Sequence, residues 1–389
     1  MENFRFFNST AIIFGKDTEK LVGAETKKRG KRVLVHFGGG SIKKSGLYDR
    51  VIGSLRESGI EFFELGGVRP NPRLSLVYEG VDICRKNNVD FILAVGGGSV
   101  LDSAKAIALG ATFAGDVWDF YIGKAAPTGA LPIGCVLTIP AAGSESSQSS
   151  VITNEEGKLK RFCDAEILRP GFAIMNPELS FTLPPYQTAC GASDIMAHVM
   201  ERYFTNSRHV ELTDRLCEST LKTVIDNVPI ALGEPENYDA RAEIMWAGAI
   251  AHNDLLGTGR IGDWASHMIE HELSALNDVA HGAGLAIVFP AWMKYVCNHD
   301  IQSFVRFAVR VWNFDECFHD PEKTATEGIC RLENFYKSIG LPTRLSEIGI
   351  AEKDFGMIAE KCKRFKGDTV GNFVRLDGKA IIKILELAR

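Results

Sequence analysis

Apolar positions in the first half of the chain alternate between short compact runs and longer stretches at helical spacing. Residues 31–36 (KRVLVH), 60–65 (IEFFEL) and 90–95 (DFILAV) are β-branched or aromatic runs of strand length. Between them lie an amphipathic segment reaching to about Gly59 and a second helix, which runs from the Pro70-Asn71-Pro72 turn to about Asn87. In that second helix Leu76, Val77, Val81, Ile83 and Cys84 recur on one face. VLDSAKAIALG follows the third strand as a helix, and PIGCVLTIP (132–140) is a further strand, after which a polar stretch leads to RPGFAIMNP (169–177). This β-α-β-α-β progression predicts a Rossmann-like α/β domain built on a doubly wound, mainly parallel sheet.

From Pro184 the pattern changes. Helical periodicity takes over in 185–205, 209–229, 238–255, 262–276, 282–298, 300–313, 323–338 and 352–363. We therefore expect an α/β dinucleotide-binding domain over 1–183 and an all-α domain over 184–389. The boundary falls at Thr182-Leu183-Pro184-Pro185, where a proline opens a helix at little cost. A chain of 389 residues suits two domains. No internal repeat or low-complexity linker separates them, so a ligand pocket is expected where they meet.

Composition narrows the function. At 45% hydrophobic and 24% charged, with net charge −5 and pI near 6.0, the chain has no basic excess to pair with nucleic-acid or membrane phosphates. No run approaches the ~20 apolar residues a membrane span requires, and the N-terminal apolar run lacks the basic start of a signal peptide. Nine scattered cysteines without a C-x-x-C pair fit a reduced, cytoplasmic protein rather than a cysteine metal site.

Two glycine turns are candidates for binding an anionic ligand. Gly96-Gly97-Gly98-Ser99 joins a buried strand to a helix, where glycines allow close backbone approach and the helix start offers N–H groups to a phosphate. A purely local role would make Ser99 the N-cap and Asp102 the N3 residue of a capping box, and the two uses are compatible. The order is not G-x-G-x-x-G. Gly38-Gly39-Gly40-Ser41 repeats the device after the first strand. No carboxylate lies between Val33 and Lys44 to hold a ribose 2′-hydroxyl, whereas Ser41, Lys43 and Lys44 suit a 2′-phosphate. NADP(H) is thus favoured over NAD(H), although a turn followed by a solvated basic face is the plain alternative.

A second group of residues suits a metal. His267 and His271 sit four apart and share a helical face, His281 follows, and Asp194 and His198 form another i,i+4 pair. Together they offer nitrogen and oxygen ligands for a divalent cation, Fe(II) or alternatively Zn(II). Spacing alone leaves open whether His267, His271 or both ligate, and Asp194–His198 could equally be a polar helix pair.

These residues together resemble the iron-dependent (group III) alcohol dehydrogenases, in particular the butanol dehydrogenase and broad-range aldehyde reductase branch. The likeness covers essentially the whole chain and rests on GGGSVLDSAKAIA (96–108), LTIPAAGSES (137–146), DIMAH (194–198) and H-x3-H-x9-H with HGAGLAIVFP (267–290). The resemblance implies a dehydroquinate-synthase-like architecture and a metal held by Asp194, His198, His267 and His281. It makes His271 a non-ligating neighbour of the nicotinamide and a candidate proton relay, and Asp102 is a second candidate catalytic residue. It also implies cofactor contacts at Gly97, Gly98, Ser99, Asp102, Thr138 and Lys160. Ala142 and Asn176 depart from the threonine and aspartate common in relatives. The implied activity is hydride transfer between NAD(P)(H) and a primary alcohol or aldehyde such as butanol or butanal, in a homodimer. The alternative is a dehydroquinate-synthase-like or glycerol-dehydrogenase-like enzyme. Trp118, Phe120, Tyr121 and Phe162 could line a substrate pocket or pack in the core.

Overall fold

In the computed structural model, residues 1–389 are described, apart from the side chains of 364–366. The chain divides into two compact units. A sheet unit comprises Phe7–Leu183 and Pro235–Ala249, and a helical unit comprises Met1–Phe6, Pro184–Glu234 and Ile250–Arg389. The division expected at 183/184 leaves out two excursions: residues 1–6 pack with the helical unit and residues 235–249 with the sheet unit. Met245 and Ala249 explain the second, since both are buried in the sheet unit's core.

The sheet unit contains eight strands, β1 (Ala11–Phe14), β2 (Arg32–Phe37), β3 (Glu61–Leu65), β4 (Phe91–Gly97), β5 (Ile133–Ile139), β6 (Ser149–Asn154), β7 (Leu159–Asp164) and β8 (Phe172–Met175). Six form one sheet in the order β1-β8-β5-β4-β2-β3, with every pairing parallel; β6 and β7 form a separate antiparallel hairpin. Its helices are α1 (Val22–Lys27), α2 (Ser41–Lys44), α3 (Leu47–Glu57), α4 (Leu74–Lys86), α5 (Gly98–Thr112) and α6 (Trp118–Tyr121). Successive strand residues point to opposite faces. Val33, Val35, Leu93 and Val95 accordingly pack with Leu47, Val51 and Leu55 of α3, while Leu34, Ile92 and Ala94 pack with Val77, Val81, Leu101 and Ala104 of α4 and α5. Helices thus cover both faces, as a doubly wound sheet requires. That is why the strands read as continuous apolar runs rather than alternating ones.

Sequence periodicity missed β1, whose four residues form a partly exposed edge strand, and the β6–β7 hairpin, whose residues are largely polar. Trp118, Phe120 and Tyr121 are buried in the core, and the Tyr121 hydroxyl pairs with Ser150 Oγ at 2.7 Å. Core packing, not a substrate pocket, accounts for these three.

In the helical unit the elements are α7 (Pro185–Tyr203), α8 (Glu211–Gly233), α9 (Tyr238–His252, shared with the sheet unit), α10 (Ala265–Asn277), α11 (His281–Val296), α12 (Ile301–Arg310), α13 (Pro321–Ser338), α14 (Phe355–Lys366) and α15 (Gly378–Leu387). Pro185 occupies the first turn of α7, where a missing N–H is harmless. The helix α15, not expected from the pattern, is capped by Asp377, whose side chain accepts from the Ala380 N–H. No described helix is long and apolar enough to cross a membrane.

Candidate metal centre and nucleotide-binding turns

Three helices of the helical unit bring the donors together. Asp194, His198 and Glu201 recur along one face of α7, His267 and His271 lie on α10, and His281 opens α11. Two glycines allow α11 to start so close to its neighbours. A Cβ on Gly282 would collide with the backbone carbonyl of Cys190 in α7, and one on Gly284 would meet the Glu270 side chain of α10 at 2.7 Å. In the H-G-A-G run the glycines therefore press the first turn of α11 against both other helices.

Asp194, His267 and His281 each offer an atom within 4.8 Å of the others. His281 Nε2 is 3.7 Å from Asp194 Oδ1. The His198 ring lies 4.6 Å from that of His267, with its Nδ1 3.2 Å from Asp194 Oδ1. A second group, Glu270, His271 and His281, shares His281. It is less suited to a cation, because Ser274 Oγ donates to one Glu270 oxygen and His281 Nδ1 is bonded to the other. His271 stands beside His281, ring centroids 5.6 Å apart, and outside the group centred on Asp194.

Each of the three imidazoles near Asp194 is held through Nδ1. His198 Nδ1–H donates to the Asp194 backbone carbonyl at 2.9 Å, His267 Nδ1–H donates to Glu201 Oε1 at 2.7 Å, and His281 Nδ1–H donates to Glu270 Oε2. This fixes the tautomer that leaves Nε2 with its lone pair, the arrangement metal-bound histidines commonly have. His267 Nε2 and Asp194 Oδ1 are both buried without a hydrogen-bond partner. Two orphaned polar atoms in the interior are costly unless something binds them, and a divalent cation fits both donors.

Charge follows the same pattern. Burial holds the His267 imidazole well below its ordinary pKa, reinforced by the neighbouring imidazoles of His198 and His281, so it is neutral at physiological pH. For Asp194 burial works against the charge, but the neighbouring imidazoles of His198 and His281 outweigh it and keep the carboxyl well below the usual carboxylate range. The spacing pointed to neither Glu201 nor Glu270. Both lie three residues from a histidine, at His198 and His267, and that i,i+3 relation is the signal that would have found them.

On the sheet unit, the glycine turns sit where the strand order reverses. β2 and β4 are neighbours, yet the chain leaves β2 for α3 on one face and β4 for α5 on the other. Such a switch point leaves a crevice at the carboxyl ends of the strands, the usual ligand position in open α/β sheets. Gly38–Gly40 and Gly96–Gly98 flank it. No loop separates β4 from α5: Gly97 ends the strand and is the helix N-cap, with no side chain capping it. The capping box that a purely local role would give Ser99 and Asp102 does not form. Asp102 instead accepts from Ser144 Oγ at 2.7 Å and from the Val151 N–H at 3.1 Å, tying α5 to the segment after β5.

The remaining candidates lie on other elements of the sheet unit. Lys160 on β7 is buried, and its charge reaches Asp102, whose carboxyl is raised on balance by burial. Thr138 lies on β5, partly exposed. Ser41 and Lys44 are exposed on α2, and a Cβ on Gly39 or Gly40 would meet nothing within 4 Å. The first turn is therefore open. By contrast, Gly97 is enclosed, since a Cβ there would press on Ile139 at 2.8 Å.

Residues 9–177 match the family described as iron-containing alcohol dehydrogenase, and residues 188–389 match the C-terminal part of the same family. The chain belongs to the iron-containing alcohol dehydrogenase family. Among family members, probable NADH-dependent butanol dehydrogenase 2 of Bacillus subtilis is 44% identical over 386 residues, covering 99% of each chain. The NADPH-dependent aldehyde reductase YqhD of Escherichia coli is 40% identical over 354 residues, 90% of each chain. The crystal structure of NADH-dependent butanol dehydrogenase A from Thermotoga maritima superposes with a TM-score of 0.97 at 43% identity, covering 100% of this chain and 99% of that one.

Proposed function

We propose that the protein is a metal-dependent alcohol dehydrogenase and aldehyde reductase, acting on primary alcohols and aldehydes such as butanol and butanal with a nicotinamide cofactor. The observation that carries this is the pair of unpartnered, buried donor atoms, Asp194 Oδ1 and His267 Nε2, among imidazoles whose Nδ1 atoms are all engaged. Asp194, His198, His267 and His281 would hold the cation, Fe(II) in preference to Zn(II). When bound, the metal supplies Lewis-acid polarisation of an alcohol or aldehyde oxygen, and the nicotinamide supplies or accepts the hydride. Glu201 and Glu270 fix the imidazoles of His267 and His281, and burial keeps water from competing for the donors. His271, buried beside His281, is the group to hold or deliver the hydroxyl proton at an imidazole nitrogen.

For the cofactor, Gly96–Ser99 at the start of α5 suits the pyrophosphate. The open Gly38–Ser41 turn, with exposed Ser41 and Lys44 and no carboxylate, suits the 2′-phosphate of NADP(H), with NAD(H) as the alternative. The named relatives divide between NADH and NADPH. Lys44→Ala should lower the NADPH-over-NADH preference in kcat/KM if the lysine meets a 2′-phosphate. The proposal extends to a cytoplasmic homodimer, for which sedimentation is the check.

Protein purified anaerobically and loaded with Fe(II) should oxidise NADPH in the presence of butanal, followed at the nicotinamide absorbance band. No turnover with Fe(II) or Zn(II) across several aldehydes would overturn the proposal. His271→Ala should keep its metal while losing rate.

A further inference from the structure

Trp264 is the N-cap of α10 and has φ 69° and ψ 6°, in the left-handed region. Six of the nine described non-glycine residues with positive φ are Asp or Asn, which adopt it readily; Trp264 is the bulkiest of the nine. A large side chain persists there only where its surroundings hold it. The Trp264 backbone N–H donates to Glu201, the carboxylate that also receives the His267 backbone N–H and Nδ1–H. The Arg202 guanidinium lies over its ring at 4.7 Å and also donates to the His198 carbonyl at 2.8 Å.

The indole held in this way faces three imidazoles. Its centroid lies 5.3 Å from His267, 6.1 Å from His198 and 5.9 Å from His252, and His252 in turn stands edge-on to His198 at 4.2 Å. We propose that Trp264 is a positioning residue for the metal site, its ring bracing the His198 and His267 imidazoles so that donors from α7 and α10 keep a fixed separation. The proposal rests on the metal-site reading above. Trp264 touches no reacting atom; it acts through the two ligands.

The test is anaerobic Co(II) titration of the metal-free full chain, in competition with a chelator, reading affinity, ligand-field bands and tryptophan fluorescence. Wild type should bind Co(II), show ligand-field bands and lose part of the emission of its five tryptophans. Trp264→Phe, which keeps a ring, should retain the affinity and the bands but lose most of the metal-dependent quenching. Trp264→Ala should bind about tenfold more weakly, with altered bands. Trp264→Gly relieves the backbone while removing the ring, so an equal loss there assigns the effect to the ring; it also stands in if Trp264→Ala does not fold. Wild-type affinity and bands in both ringless variants would overturn the proposal, as would full quenching in Trp264→Phe. A wild type that binds no Co(II) removes the metal site itself, and with it the role of Trp264.

Discussion

The two units build their candidate ligand positions by opposite means. Around the end of β4 the sheet unit withholds side chains: Gly96 packs on Val100, Gly97 packs on Ile139, and the α5 N-terminus is left without a side-chain cap. Around Asp194 the helical unit crowds side chains together, and each imidazole is tied to a further oxygen. The first arrangement depends on volume, the second on hydrogen-bond partners. A methyl group should therefore harm one, and the loss of a single oxygen or nitrogen atom the other.

The most severe test of that contrast removes a donor. His267→Ala should release the metal and lower kcat by about 10³-fold, while leaving nicotinamide binding near wild type; elemental analysis beside a fluorescence titration of NADPH separates the two. Chelation of the metal should reproduce the same split.

Next in size is the acid effect that His36 contributes in the sheet unit. His36 on β2 is fully buried; its Nδ1–H donates to the Leu65 carbonyl and its Nε2 accepts from Ser103, each at 2.8 Å. Burial lowers its pKa from 6.5 to about 4, with the Leu65 bond pulling slightly the other way. Between these values the unfolded chain binds the proton and the folded chain does not. Stability is consequently retained above pH 6.5 and lost as pH falls toward 4, by about 3 kcal/mol. His36→Gln should remove that share of the pH dependence in denaturant titrations of the metal-free protein.

Smaller again is Glu201→Gln, which keeps the shape but weakens the acceptor for His267 Nδ1–H; metal affinity should fall about ten- to a hundredfold with the fold intact. The mildest is Gly97→Ala. Its Cβ meets the flexible side chain of Ile139, so a loss of about 1 kcal/mol and a raised KM for the nicotinamide are expected, with unchanged metal content. If Gly97→Ala lost metal, or Glu201→Gln raised the nicotinamide KM alone, the contrast between the units would fail.

The parallel sheet was legible because its strands are buried on both faces and read as unbroken apolar runs. The edge strand Ala11–Phe14 and the Ser149–Asp164 hairpin lack that signature, since their stability comes from pairing rather than from enclosure. Ligand candidates were visible as i,i+4 pairs. Their hydrogen-bond partners were not, because Glu201 and Glu270 gain meaning only when α7, α10 and α11 converge. Asp102 shows the reverse case: its position allowed a local cap as the plain alternative, and a partner more than forty residues later, Ser144, claimed it instead.

The excursions of residues 1–6 and 235–249 carry a consequence for dissection of the molecule. The chain passes from one unit to the other four times, at 6/7, 183/184, 234/235 and 249/250. A single cut at any of these leaves at least one fragment without a piece of its own core. Separate expression of a nucleotide-binding half and a metal-binding half should thus give unstable products, whereas co-expressed fragments split at 183/184 could complement one another. Newly synthesised chain likewise cannot complete the sheet unit until residue 249 has been made, well after the last strand at Met175.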